Sequence, residues 1–253
     1  MNSSEHIAFI IQARLGSTRL PNKIIRPFWN EQSIIDILIE RLKKFSGCPS
    51  ILATSTQPVN ELLVEIAKKH SINFFVGSEN DVLNRFIDAA DAFNIQKIIR
   101  VCSDNPFLNT NALQLLLTTA RDSNADYIGF QVNDTPSIKT HFGFWAEFVT
   151  TNALKMVNSA TLEPIYREHV TNFIYSHPEQ FKIQWLPTPL CLQGRHDIRL
   201  TIDTLADYQN TQTIYKNIYA SIDNPRIEDI VDYIDSNPQY LSVMKQEILH
   251  NSK

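Results

Sequence analysis

The sequence predicts an α/β fold of three layers, a mostly parallel sheet covered by helices on both faces. Two observations point there. Short apolar runs alternate with amphipathic helical periods through the first half of the chain. The first run, Ile7 to Ile11, is continuously apolar, as a strand buried on both faces should be. A length of 253 residues can bury a substantial core without cross-links.

The elements follow in order. Strands are expected at Ile7–Ile11, Ser50–Ala53, Asn73–Val76, Lys97–Val101 and Asp126–Ile128. Between them, helices are expected at Ser33–Phe45, Val59–His70, Asp81–Phe93 and Asn109–Asp122. In the first helix, Ile34, Ile35, Leu38, Ile39 and Leu42 share the face a core would cover. After Gly129 the rhythm changes. Residues 130 to 149 read as extended and loop-rich, with Pro136 and Gly143 as breakers. Helices follow at Thr151–Val157 and Glu163–Ser176, then strands at Phe181–Trp185 and Ile198–Ile202. Helices at Leu205–Tyr219 and Ile227–Ile234 close the pattern. The reading is one domain over residues 1–235 with a lobe around 130–200, then a tail over 236–253 that docks or frays.

Composition narrows the function. The 23 Lys and Arg face 27 Asp and Glu, a net charge of -4, which gives no support to nucleic-acid binding. Cys48, Cys102 and Cys191 form no CxxC pair, so structural zinc and a disulfide framework are not expected. No apolar stretch approaches the roughly 18 to 20 residues that span a membrane. Met1 to His6 is polar and shows no secretory pattern. The expectation is a cytoplasmic protein.

Three segments carry chemistry. In the first, from Gln12 to Lys23, Arg14, Arg19 and Lys23 are interleaved with Gly16, Ser17 and Thr18 directly after a buried strand. Loops beyond the carboxyl ends of strands are where α/β sheets bind ligands. Glycine permits close backbone approach, arginine grips phosphate with two parallel bonds, and lysine acts as a point charge. A solvated surface turn would explain the cations alone, but a polyphosphate cradle explains the whole set. Neither GxxxxGK[ST] nor GxGxxG occurs. The second segment is Cys102-Ser103-Asp104-Asn105-Pro106, at the end of the fourth strand. Asp104 suits Mg²⁺ there, or closes a turn. The third, Arg199 to Asp207, places Asp203 where a strand gives way to a helix, as a second carboxylate or as an N-cap. Two such aspartates beside a cationic loop suit metal-assisted nucleotidyl transfer.

The chain resembles the sugar-activating nucleotidyltransferases, and more narrowly the spore coat polysaccharide biosynthesis protein F-like cytidylyltransferase family. The resemblance rests on Ile10-Ile11-Gln12-Ala13-Arg14 through Lys23, on Ala53-Thr54-Ser55, and on the run Gly77-Ser78-Glu79-Asn80-Asp81-Val82-Leu83-Asn84-Arg85. Ser103-Asp104-Asn105-Pro106, Tyr166-Arg167-Glu168-His169-Val170-Thr171 and Arg199-Leu200-Thr201-Ile202-Asp203-Thr204 complete it, over roughly residues 7 to 220. It implies a Rossmann-like nucleotide-diphospho-sugar transferase (GT-A-like) fold. It implies a cytidylyltransferase that joins CTP to an acidic sugar, nonulosonic or another 2-keto-3-deoxy acid, with release of pyrophosphate for surface glycan synthesis.

By the same resemblance, Arg14, Lys23, Asp104 and Asp203 are catalytic, and Asp104 and Asp203 hold Mg²⁺. Ala13, Arg14, Gly16, Ser17, Arg19, Lys23, Thr54, Ser78, Asp81, Arg85 and Ser103 bind nucleotide. Glu147, Arg167, Glu168 and His169 face the sugar. Relatives of this kind often pair, so a homodimer is allowed. Three positions depart from the family's pattern: Asn22 and Ser103 stand for common glycines, and Val76 for a frequent basic residue. Asn tolerates the left-handed backbone that a turn at 22 needs. The alternatives are a GT-A-type glycosyltransferase, whose Asp-x-Asp signature is missing from its proper place, and a non-catalytic nucleotide-binding partner in such a pathway.

Overall fold

The computed structural model describes residues 6–251. Met1–Glu5 of the polar opening, and Ser252 and Lys253 of the tail, lie outside the described residues. The chain begins with β1 (Ile7–Gln12), then β2 (Pro27–Trp29), β3 (Gln32–Ser33), α1 (Ile34–Lys43), β4 (Ser50–Ser55), α2 (Glu61–Lys69) and β5 (Asn73–Gly77). α3 (Val82–Ala92), β6 (Lys97–Cys102), α4 (Thr110–Asp122), β7 (Tyr127–Val132), β8 (Thr135–Pro136) and β9 (Glu147–Thr150) follow. The remainder is α5 (Thr151–Ala160), α6 (Pro164–Glu168), α7 (Asn172–Ser176), β10 (Ile183–Leu186), α8 (Leu205–Tyr219), α9 (Ile227–Asp235) and α10 (Pro238–His250).

The main sheet runs β10-β7-β9-β6-β1-β4-β5, with β8 paired to β7. β1 lies parallel to β4 on one side and to β6 on the other. The chain therefore moves outward from β1 to β5 and then returns across β1 to build β6. Loops leaving β1 and β6 diverge at that reversal and leave a crevice between them. Alternate residues feed two cores. Phe9 and Ile11 join the layer under α1, α4 and α8, while Ala8 and Ile10 join the layer under α3, α5 and α7. Burial of each large apolar side chain in these layers stabilises the fold by roughly 1.5–3 kcal/mol.

Four expectations change. Ile198–Ile202 is extended but is not a strand of the sheet. Its N–H groups bond the carbonyls of His141 and Asp104, because it crosses above the strand ends instead of lying beside one. The helix expected over Glu163–Ser176 is two short ones, α6 and α7. His169 leaves helical geometry at φ -98°, ψ 76°, and the Thr171 hydroxyl then reaches the buried Glu147 carboxylate at 2.8 Å. The loop-rich stretch yields β9, which runs antiparallel between β6 and β7. Residues 238–250 of the expected tail form the helix α10, which packs on α8 and α9. The β2–β3 hairpin had no clear signal, being only three and two residues long.

α1 is held at its start by a capping box between Ser33 and Asp36. The other oxygen of Asp36 meets His70 Nε2 at 2.6 Å, and His70 Nδ1 meets Glu40 at 2.8 Å, which ties α1 to the end of α2. Burial alone would raise the Asp36 pKa, but hydrogen bonds from His70, Ser33 and Lys69 lower it to about 2. A depressed carboxylate stabilises the fold above its unfolded pKa and loses that contribution as pH falls through the folded value. We therefore expect about 2 kcal/mol of unfolding free energy to disappear between about pH 4 and 2. Asp36→Asn should flatten that part of the profile in urea titrations; an unchanged acid limb would count against the assignment.

Candidate active site

The loop after β1 is shaped by its own backbone and by one buried side chain. Asn60 Oδ1 accepts the Leu15 N–H at 2.8 Å, and the Leu15 carbonyl accepts N–H groups from Ser17 and Asn22. Leu15 and Leu20 are buried and anchor the loop, which leaves Arg14, Gly16, Thr18 and Arg19 exposed. A Cβ at Gly16 would meet nothing within 4 Å, so the space beside it is open. Asn22 adopts φ +60°, the left-handed turn that its departure from glycine put in question. Lys23 then opens a short 3₁₀ turn.

That turn aims Lys23 at both aspartates. Its Nζ lies 3.5 Å from Asp104 Oδ2 and 3.2 Å from Asp203 Oδ1, and it also donates to the Ile202 carbonyl. Arg19 approaches Asp203 at 3.3 Å. Arg199, fully buried, reaches Asp203 Oδ2 at 3.1 Å. Burial opposes ionisation of Asp203, yet the charges of Lys23, Arg19 and Arg199 hold its pKa below the usual aspartate range. Asp203 is not the N-cap of α8. Thr204 takes that place in a capping box with Asp207, which frees the Asp203 carboxylate to face Lys23.

Support for this arrangement comes from Asp207. Its two oxygens receive Arg199 at 2.7 and 2.8 Å, and one also accepts the N–H groups of Asp203 and Thr204 at 3.0 Å. α10 adds Glu247, which accepts from Thr204, and beyond its end Asn251 accepts from Arg19 at 2.8 Å. Neither contact had a sequence signal, because both cross more than forty residues of chain. Asn60 was silent for the same reason, as its partner Leu15 lies 45 residues away.

On the other side of the loop, Arg14 stands between Glu79 at 3.7 Å and Glu168 at 3.6 Å. Glu79 also accepts from Ser55, which receives Asn60 Nδ2 at 2.6 Å. Asp81 caps α3 by accepting from Asn84, and the Ser78 hydroxyl accepts the Asp81 N–H. Arg167 spends its fork on Asp81 and Asn158. Glu168 and His169 end α6 on the exposed surface.

Some expected contacts are sealed. Thr54 and Arg85 are fully buried, and Ala13 and Ser103 nearly so. Thr54 and Arg85 can meet a ligand only through atoms that movement uncovers. Arg85 carries three guanidinium nitrogens with no hydrogen-bond partner among the described residues. Glu147, expected at the sugar, is 2% exposed, and its oxygens are taken by Arg100, Tyr127 and Thr171. It braces the site from below and does not face the open side.

Among the described residues, no group of three or more His, Cys, Asp or Glu gathers as a metal cage. Asp104 and Asp203 nevertheless fit a hard divalent ion that keeps its waters and phosphate ligands. They are two carboxylates turned toward one shared point, where Lys23 sits between them while Arg19 and Arg199 stand against Asp203. Among the described residues no helix is long and apolar enough to cross a membrane.

A family model described as cytidylyltransferase matches residues 8–231. The spore coat polysaccharide biosynthesis protein SpsF of Bacillus subtilis is 32% identical over 238 residues, 92% of this chain and 95% of that protein. The structure of a cytidylyltransferase from Leptospira borgpetersenii superposes with a TM-score of 0.80 at 29% identity, covering 93% of this chain and 96% of that one. CMP:2-keto-3-deoxy-manno-octonic acid synthetase in complex with CTP, 13% identical, shares the fold at a TM-score of 0.61 over 82% and 97% of the two chains.

The two kinds of ion pair here should behave differently. Asp207→Ala leaves Arg199 buried with one fewer anion and removes the reciprocal half of the α8 capping box, so a loss of about 3–5 kcal/mol is expected in denaturant unfolding. Arg14→Ala removes only exposed, long contacts and should cost less than about 1 kcal/mol. Equal losses would contradict this division.

Proposed function

The chain belongs to the cytidylyltransferase family and is a nucleotidyltransferase, and we propose that it activates an acidic sugar with CTP, giving a CMP-sugar and pyrophosphate for surface polysaccharide synthesis. The observation that carries this reading is the meeting of Lys23 with Asp104 and Asp203 beside an open cationic loop at the sheet's reversal. The acceptor class is supported by the sugar acid named for the fold neighbour bound to CTP, and the pathway by the name of the Bacillus relative.

In this reading Arg14, Arg19 and the backbone around Gly16 and Ser17 receive the triphosphate. Asp104 and Asp203 would hold Mg²⁺, which when bound offsets phosphate charge. Lys23 stabilises the charge that grows on the departing pyrophosphate, where a preorganised cation acts most strongly. A hydroxyl of the sugar attacks the α-phosphorus in line, so positioning and charge stabilisation do most of the work. Asp203 has a depressed pKa, which makes it a weak base and suits it to a charge-holding role. The cytosine would come nearest the end of β4 at Ala53–Ser55, which is buried and so must open to touch it, and the ribose nearest Ser78 and Asp81. Arg167, Glu168 and His169 flank the acceptor.

Pyrophosphate release should be screened with four nucleoside triphosphates against a panel of acidic and neutral sugars, with and without Mg²⁺. The expected outcome is Mg²⁺-dependent release with CTP and a sugar acid; release only with neutral sugars or another nucleotide overturns the reading. Lys23→Ala should lower turnover by about 10²–10³-fold, about 3–4 kcal/mol of barrier, with circular dichroism unchanged.

A further inference from the structure

Gln12 closes β1 on the sheet face that also carries Arg100 and Glu147. Arg100 donates through Nη1 to Glu147 Oε2 at 3.0 Å. Its Nη2 and Nε donate to Gln12 Oε1 at 2.9 and 3.3 Å. Glu147 accepts from the hydroxyls of Tyr127 at 3.1 Å and Thr171 at 2.8 Å. The side chains of Arg100 and Glu147 are 7% and 3% exposed, so this is a fixed, nearly dry ion pair.

A guanidinium only donates, so the carboxamide of Gln12 has one permitted orientation: oxygen toward Arg100, NH₂ away from it. No described residue accepts from that NH₂, and it is not among the buried unpaired atoms. Gln12 is half-buried at the carboxyl end of β1, directly before Ala13 and Arg14 of the loop. The buried pair thus presents two fixed donors at the floor of the crevice.

The face they occupy and the Glu147 network together point them toward the acceptor. Leu20, Ile24 and Ile202, the neighbours of the Lys23 cluster, belong to the core layer under α1 and α8. Ala8 and Ile10, which alternate with Gln12 on one side of β1, belong instead to the layer that carries Val170, Phe173 and Ile174 together with Ala53 and Val82, so this face is that of the sugar and nucleoside and not of the Lys23 cluster. The same Glu147 that braces Arg100 also holds Thr171, two residues after His169. One buried network therefore sets Gln12 and the Arg167–His169 segment on the same side of the site.

We propose that the Gln12 carboxamide, locked by Arg100, is a specificity-determining donor to an oxygen of the acidic sugar. This rests on the reading of the chain as an enzyme that activates sugar acids. Gln12→Glu is nearly isosteric and leaves Arg100 an acceptor, but it replaces the NH₂ with a carboxylate oxygen that repels an acid. The full chain and this variant are compared by initial rates of pyrophosphate release with CTP. The acceptors are 2-keto-3-deoxy-manno-octonic acid and N-acetylneuraminic acid.

The expected result is an acceptor KM at least tenfold higher in the variant, with the KM for CTP within twofold and an unchanged melting temperature. Gln12→Met, which offers neither donor nor charge, should raise the acceptor KM less than Gln12→Glu. Equal acceptor KM values in an active pair overturn this inference alone, because they leave Gln12 only the structural task of satisfying Arg100. A rise confined to the KM for CTP also overturns it. No pyrophosphate from the unaltered chain with either acid overturns both this inference and the function on which it rests.

Discussion

One lysine ammonium between two carboxylates organises the site. Lys23, Asp104 and Asp203 come from the first loop, the end of β6 and the segment before α8, and no two are near in sequence. Each is partly withdrawn from water, so each charge is tolerable mainly because the others are present. The sheet makes the meeting possible. β1 and β6 are parallel neighbours, so their carboxyl-end loops emerge side by side, and the crossing segment 198–202 is bonded down onto the same edge.

Around that centre the protein places buried ion pairs where they fix geometry. Arg199 and Asp207 set the start of α8 and so the direction of Asp203. Arg100 and Glu147 set Gln12 above and Thr171 beside them. Exposed pairs such as Arg14 with Glu168 are long and water-screened, and they can give way to a ligand at little cost. The contrast follows from dielectric environment. A pair inside the protein resists separation, while one at the surface exchanges partners readily.

Much of the fold was legible because its signal is local. β1 and the elements from α1 through α4 follow apolar runs and helical periods that each span only a few residues, and the turn at Asn22 follows from one residue's backbone tolerance. The second half was harder. β9 is a four-residue antiparallel strand that exists because β6 and β7 leave a gap for it. The break at His169 depends on Thr171 reaching a carboxylate 24 residues away.

The sequence by itself determined the alternation of strands and helices, the cationic loop, the two aspartates, and the family that these motifs resemble. Those are properties of neighbouring residues, and chain order preserves them. Only the tertiary structure decided that Lys23 stands between Asp104 and Asp203, that Glu147 is buried and paired with Arg100, Tyr127 and Thr171, that Asn60 and Asp207 support the loops, and that Asn251 beyond α10 meets Arg19. Each of these depends on a contact or an exclusion of water that exists only once distant segments are packed together.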